Sequence, residues 1–220
     1  YLLGGWSFGG LIAFEMARQL TRQGEEVPRV LLLDTRVPAI SEAMSRLSPE
    51  LLRAFLLIDE ARGVTLAAGQ EQIPLTPRDI VHLDLDAQLD LLLNELWRRE
   101  AFPPDVDREM LRRFFEVRMA RIDAMNRYVP ETWEGRLVLF RTGEVNPEIP
   151  LEEIREIYRD ASANHPSDGW SALARELEIE PVPGHHESMV QSPHVLSLAE
   201  ALRRHVDLYV RETSASLRQG

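Results

Sequence analysis

The chain has 220 residues and no cysteine, which leaves room for one substantial core and excludes disulfides, thiolate metal ligands and a cysteine nucleophile. Its net charge of −11 disfavours a nucleic-acid partner, and all 25 basic residues are arginine, which removes Schiff-base and Ser-Lys chemistry. With 44% hydrophobic and 28% charged residues and no run approaching the roughly 18 apolar residues of a membrane span, it reads as a cytoplasmic globular protein, or part of a larger one, without membrane contact.

In chain order, Tyr1 to Gly4 is a short apolar run ending in glycine, with no basic residue before it to make a signal peptide. A helix is expected from Gly10 to about Arg22, with Ile12, Met16 and Leu20 at helical spacing and Gly24 as its stop. Val30 to Leu33 is continuously apolar and ends in Asp34, the pattern of a buried parallel strand. Strand, helix and strand in so few residues make a βαβ unit.

From about Pro38 to Pro130 the pattern is helical, with stripes at Leu51, Leu52, Phe55 and Leu56 and at Leu85, Leu89, Leu92, Leu93 and Leu96. A long amphipathic helix covers Met110 to Met125, and Gly63 to Pro77 is expected to be a loop. Alternation resumes with a strand at Leu137 to Phe140, a helix near Leu151 to Asp160 and a polar loop from Asn164 to Gly169. A last strand (Glu176 to Val182) and a terminal helix (Val195 to Tyr209) complete the pattern. The expected fold is α/β: a mostly parallel sheet interrupted by a helical insertion over residues 38–130, read as a lid within one domain spanning 1–220.

Gly5-Trp6-Ser7-Phe8-Gly9 fits the G-x-S-x-G nucleophile elbow, placed between strand and helix as that motif requires. Glycines two positions to either side of Ser7 relieve the collisions of a sharp turn, and the helix N-terminus favours developing negative charge. The Phe8 N–H is then an oxyanion donor. Asp34, at the C-terminal end of the next strand, is placed to orient a histidine, although a carboxylate there also suits a turn or helix cap. Of His82, His165, His185, His186, His194 and His205, only His185 and His186 follow the last strand in a glycine-containing loop, and spacing does not choose between them.

Several stretches in order along the chain resemble the type I thioesterase domains of nonribosomal peptide synthetases and polyketide synthases, members of the α/β-hydrolase fold. They are Tyr1 to Gly10, Leu31 to Asp34, Arg127 to Pro130, Leu139 to Glu144, Asp168 to Trp170, Val182 to Met189 and Pro193 to Val195. The resemblance implies Ser7 as acyl-enzyme nucleophile, Asp34 as the acid and His186 as the base, with His185 at a variable position beside the entrance. Trp6 and Phe8 would shape the acyl pocket. It implies no cofactor or metal of the protein's own, and a substrate carried on the phosphopantetheine of a carrier protein domain in the same megasynthase. Release is by hydrolysis or macrocyclisation.

Such domains begin well before the elbow, so N-terminal strands and the second oxyanion donor are expected from sequence outside this chain or from another chain. One alternative is a discrete type II editing thioesterase, in which the acid follows the strand after the lid. Glu144 stands there in this sequence. Another is a binding protein that keeps the hydrolase fold without catalysis.

Overall fold

The structure, a computed structural model, describes residues 1–37, 47–164 and 167–216. The expected insertion boundary at Pro38, and His165, lie outside the described residues. The chain divides into two compact units. One is formed by Tyr1–Ala39, Val129–Pro147 and Tyr158–Gly220, the other by Ile40–Tyr128 and Glu148–Ile157.

The first unit holds four parallel strands, β1 (Leu3–Trp6), β2 (Arg29–Leu33), β3 (Trp133–Thr142) and β4 (Ala174–Val182), in the spatial order of their sequence. The central pair explains the apolar runs. Val30, Leu32 and Leu137 to Phe140 have no exposed surface, as expected of strands covered on both faces. Helix α1 (Phe8–Arg22) links β1 to β2 and buries Leu11, Phe14 and Ala17, with Phe14 packed edge-on to Trp133 and Trp170. The terminal helix α7 (His194–Ser216) sends Leu198 and Ala201 into a cluster with Leu31, Val138, Phe140, Val182 and Met189. Among the described residues β1 pairs only with β2, so its other edge carries no strand.

Because all four strands run the same way, their C-terminal ends share one edge of the sheet. Loops leaving that edge are where a parallel sheet gathers its reactive groups. Ser7 follows β1, Asp34 follows β2, Gly143 to Pro147 follow β3, and His185 and His186 follow β4.

The second unit is built from α2 (Pro49–Ala67), α3 (Pro77–Ile80), α4 (Leu85–Arg98) and α5 (Arg108–Arg127). Ser48, Asp84 and Asp107 each accept a first-turn backbone N–H, so the starts of α2, α4 and α5 are set by side-chain caps. Phe55, Ile58, Leu89, Leu92 and Leu96 form part of its buried interior, and the Arg118 guanidinium on α5 bridges Asp59 and Glu60 on α2. The loop expected from Gly63 begins later, because α2 continues to Ala67. Buried Ala61 and Thr65 carry the apolar face past Gly63, which offsets the roughly 1 kcal/mol that glycine costs inside a helix.

Helix α6 (Glu152–Asn164) begins in the second unit and ends in the first. Among the described residues no helix is long and apolar enough to cross a membrane.

Candidate active site

Ser7 sits between the last residue of β1 and the first of α1, with φ 55° and ψ −125°, a conformation non-glycine residues rarely adopt. Its backbone is tied to β2. The Ser7 N–H donates to Leu33 O (3.0 Å), and the Thr35 hydroxyl donates to Ser7 O (3.1 Å). The glycines do not share the steric load as the motif suggests. A Cβ on Gly5 would lie 2.2 Å from the Gly9 carbonyl carbon, whereas one on Gly9 would meet nothing within 4 Å. The second close approach is at Gly10, where a Cβ would fall 2.0 Å from Thr35 Oγ1. The Ser7 side chain does not cap α1, and Phe8 supplies that helix's first N–H.

Asp34 is buried at 3% exposure and also has a positive φ, 43°. Its N–H donates to Phe140 O (2.8 Å). Oδ1 accepts from the Thr142 N–H (3.0 Å) and hydroxyl (2.8 Å), and Oδ2 lies 2.8 Å from His186 Nδ1. Burial pushes the Asp34 carboxyl up. The hydrogen bond and charge of His186, with the two bonds from Thr142, outweigh burial and hold it below the ordinary carboxylate value. An ionised Asp34 accepts a hydrogen bond from the His186 Nδ1–H, which leaves the lone pair on Nε2.

The His186 ring is stacked on the Trp6 indole, with centroids 5.0 Å apart and an interplanar angle of 24°. The Trp6 Nε1–H donates to His186 O at 3.2 Å. Among the described residues His186 bonds Asp34 and Trp6 but not Ser7.

His185 turns elsewhere. Its Nδ1 meets Glu187 at 2.9 Å, Glu187 also accepts from Asn146 (3.2 Å), and its N–H donates to Ser188 Oγ (2.9 Å). Gly184 makes the loop possible: its φ is 89°, and a Cβ there would sit 2.0 Å from His194 Nδ1. His205 is buried on α7 against Phe140, and His82 falls between α3 and α4. Glu144 is exposed, and with Arg141, Gly143, Pro147 and Arg159 it lines an open depression of about 550 Å³.

A second layer around Asp34 was not assigned from the sequence. Asp168 lies between Arg36 (3.5 Å) and Arg141 (3.2 Å), its backbone oxygen accepts from Val37 N–H (2.9 Å), and the Trp170 indole donates to Thr35 O (2.7 Å). Burial pushes the Asp168 carboxyl up despite the two guanidinium groups, and the nearby Asp34 adds to the rise. This layer ties the segment after β2 to the end of β3, the two backbones that hold Asp34. Asp168 and Trp170 stand in one of the matching stretches, which was the available signal.

A family model described as "Thioesterase domain" matches residues 1–205. Chondramide synthase of Chondromyces crocatus is 30% identical over 209 residues, covering 94% of this chain and 5% of the synthase. A non-reducing polyketide synthase of Pseudevernia furfuracea is 33% identical over 82 residues, 37% of this chain and 4% of that protein. The chain therefore spans only about a twentieth of the length of these relatives. Among solved structures, a holo four-domain nonribosomal peptide synthetase bound to AMP and glycine is similar over 93% of this chain and 14% of its own, with TM-score 0.72 and 26% identity. The Vlm2 thioesterase domain is similar over 93% of this chain and 68% of its own, with TM-score 0.53 and 25% identity. With a match over nearly its whole length and a parallel sheet whose first strand ends in the G-x-S-x-G turn, the chain belongs to the thioesterase domain family, of the α/β-hydrolase type.

Proposed function

We propose that this chain carries the catalytic triad of a chain-releasing thioesterase of a nonribosomal peptide or polyketide synthase, with Ser7 as nucleophile, His186 as base and Asp34 as acid. The observation that carries the reading is the 2.8 Å pairing of buried Asp34 with His186 Nδ1, on the sheet edge at which Ser7 also lies. His186 Nε2 takes the Ser7 proton as Oγ attacks the thioester carbonyl. The tetrahedral oxyanion is met by the Phe8 N–H at the start of α1, and collapse expels the pantetheine thiol, which takes the proton from His186. Water, or a nucleophile within the acyl chain, then releases the product as an acid or a macrocycle.

The substrate arrives on the phosphopantetheine of a carrier domain, and the chain needs no cofactor of its own. The helical insertion expected over residues 38–130 acts as a lid that excludes water. The edge of β1 that carries no strand among the described residues, with Ile12 and Met16 of α1 roughly half exposed, receives further strands and the second oxyanion donor. His185 borders the entrance.

The discrete editing enzyme with Glu144 as acid is the weaker reading, since His186 faces Asp34 while Glu144 is exposed. Separate Asp34→Asn and Glu144→Gln changes in the full-length protein, assayed on an acyl-pantetheine thioester, test this. Loss of turnover with Asp34→Asn alone is expected, and loss with Glu144→Gln alone overturns the assignment.

A further inference from the structure

We infer that Trp6 is a positioning residue that holds the His186 ring at the tilt from which it takes the Ser7 proton. This rests on the assignment of Ser7, His186 and Asp34 proposed above. The hydrogen bond from Nδ1 to Asp34 fixes one ring atom but leaves the ring free to rock about the line joining Nδ1 and Oδ2. Face-on contact with an aromatic plane removes that freedom, and the Trp6 indole supplies it at 5.0 Å and 24°.

The same side chain also fixes the residue's backbone. Its Nε1–H bonds His186 O at 3.2 Å, so ring and main chain are held from one anchor 180 positions away. That anchor is the residue covalently joined to Ser7. Nucleophile and base are thus registered to each other through a single side chain rather than through the length of the sheet.

Core packing does not account for Trp6. It is 40% exposed, whereas the buried Trp170 is 0% exposed. The other contacts of the loop, His185 with Glu187 and Ser188 and Glu187 with Asn146, hold its backbone and neighbouring side chains and leave the His186 ring untouched. As Ser7 gives up its proton the ring becomes an imidazolium, and an indole face is the best aromatic partner for a cation. The contact therefore strengthens as the reaction proceeds, which lowers the barrier instead of merely tightening the resting enzyme.

The test uses Trp6→Leu and Trp6→Phe in the full-length protein, each also combined with His186→Ala. The readouts are the rate constant for fluorophosphonate labelling of Ser7, kcat and KM on an acyl-pantetheine thioester, and titration of competent sites to remove any misfolded fraction. Trp6→Leu is expected to lower the labelling rate and kcat per competent site by about tenfold with KM unchanged. Trp6→Phe, which keeps a ring, should recover most of that loss, and in the His186→Ala background Trp6→Leu should have no further effect. Labelling of Trp6→Leu at the wild-type rate, or the same proportional loss when His186 is already absent, would overturn the inference. The wild-type control separates the two levels: a wild type that does not label at Ser7 overturns the triad reading and this inference with it, whereas a labelling wild type leaves the triad standing whatever Trp6 does.

Discussion

Replacing Asp34 by asparagine changes one oxygen into an NH₂ group at a site where every hydrogen bond has a direction. Oδ1 accepts two donors from Thr142, at 3.0 and 2.8 Å, and Oδ2 accepts from His186 Nδ1 at 2.8 Å. An asparagine that keeps its oxygen toward Thr142 must turn its NH₂ toward Nδ1. That nitrogen then has to accept, the ring proton moves to Nε2, and His186 can no longer take a proton from Ser7. The opposite flip sets an NH₂ group against two donors, which costs about 1–3 kcal/mol and is disfavoured. The expected loss in kcat is about 10⁴-fold, the penalty for a histidine held in the wrong tautomer. The stability loss should be only about 1–3 kcal/mol, because volume is kept and the three bonds to the carboxylate persist as neutral ones. Turnover of an acyl-pantetheine thioester by folded, site-titrated Asp34→Asn protein, with its Tm, measures both. Activity within tenfold of wild type would refute the assignment of Asp34 as the acid.

Three further outcomes follow from the geometry. Glu144→Gln should keep kcat within about threefold, since an exposed carboxylate away from His186 Nδ1 has no part in orienting it. A loss above a hundredfold contradicts this. Gly10→Ala should lower stability by about 1–3 kcal/mol by driving a methyl group into Thr35, while Gly9→Ala should be nearly neutral because its Cβ meets nothing within 4 Å. Thermal melts of both variants decide this, and equal shifts would contradict it. Asp34, held below its ordinary value of 3.8, contributes stability that is present above that value and lost as pH falls through its lowered one. Melts of wild type and Asp34→Asn should therefore differ most above pH 4 and converge as the solution becomes more acid. A gap that stays constant across the acid range would contradict the pairing.

The parallel sheet was legible because its central strands are wet on neither face, so Val30 to Leu33 and Leu137 to Phe140 are written as unbroken apolar runs. Ends of elements were less so. The helix through Gly63 was read as a loop because a glycine signals a break locally, while the burial of Ala61 and Thr65 that overrides it is a tertiary fact. The elbow shows the same division. Its pattern pointed to Ser7, but the tight approach lies at Gly10 rather than Gly9, since it is Thr35 from the end of β2 that crowds the helix. Ser7 is legible from its G-x-S-x-G turn and Asp34 from its place at a strand end, whereas placement leaves His185 and His186 equal and only the family resemblance chooses His186. The contacts that hold Asp34 and His186 did not stand out. Thr142 lies 108 residues from Asp34 and Trp6 lies 180 from His186, and nothing in local pattern announces partners so far apart. The resemblance gives Trp6 a place in the acyl pocket, and its stacking on the His186 ring is a tertiary contact that no local pattern carries.

The central claim is that Ser7 forms the covalent acyl-enzyme. Peptide mass mapping of the full-length protein after treatment with a fluorophosphonate, and separately after quenching a turnover mixture of acyl-pantetheine thioester, tests it most directly. The account predicts an adduct on the peptide containing Ser7 in both experiments, absent from Ser7→Ala and slowed by His186→Ala. An unmodified Ser7 in a preparation that turns over thioester, or turnover retained by Ser7→Ala, would contradict it.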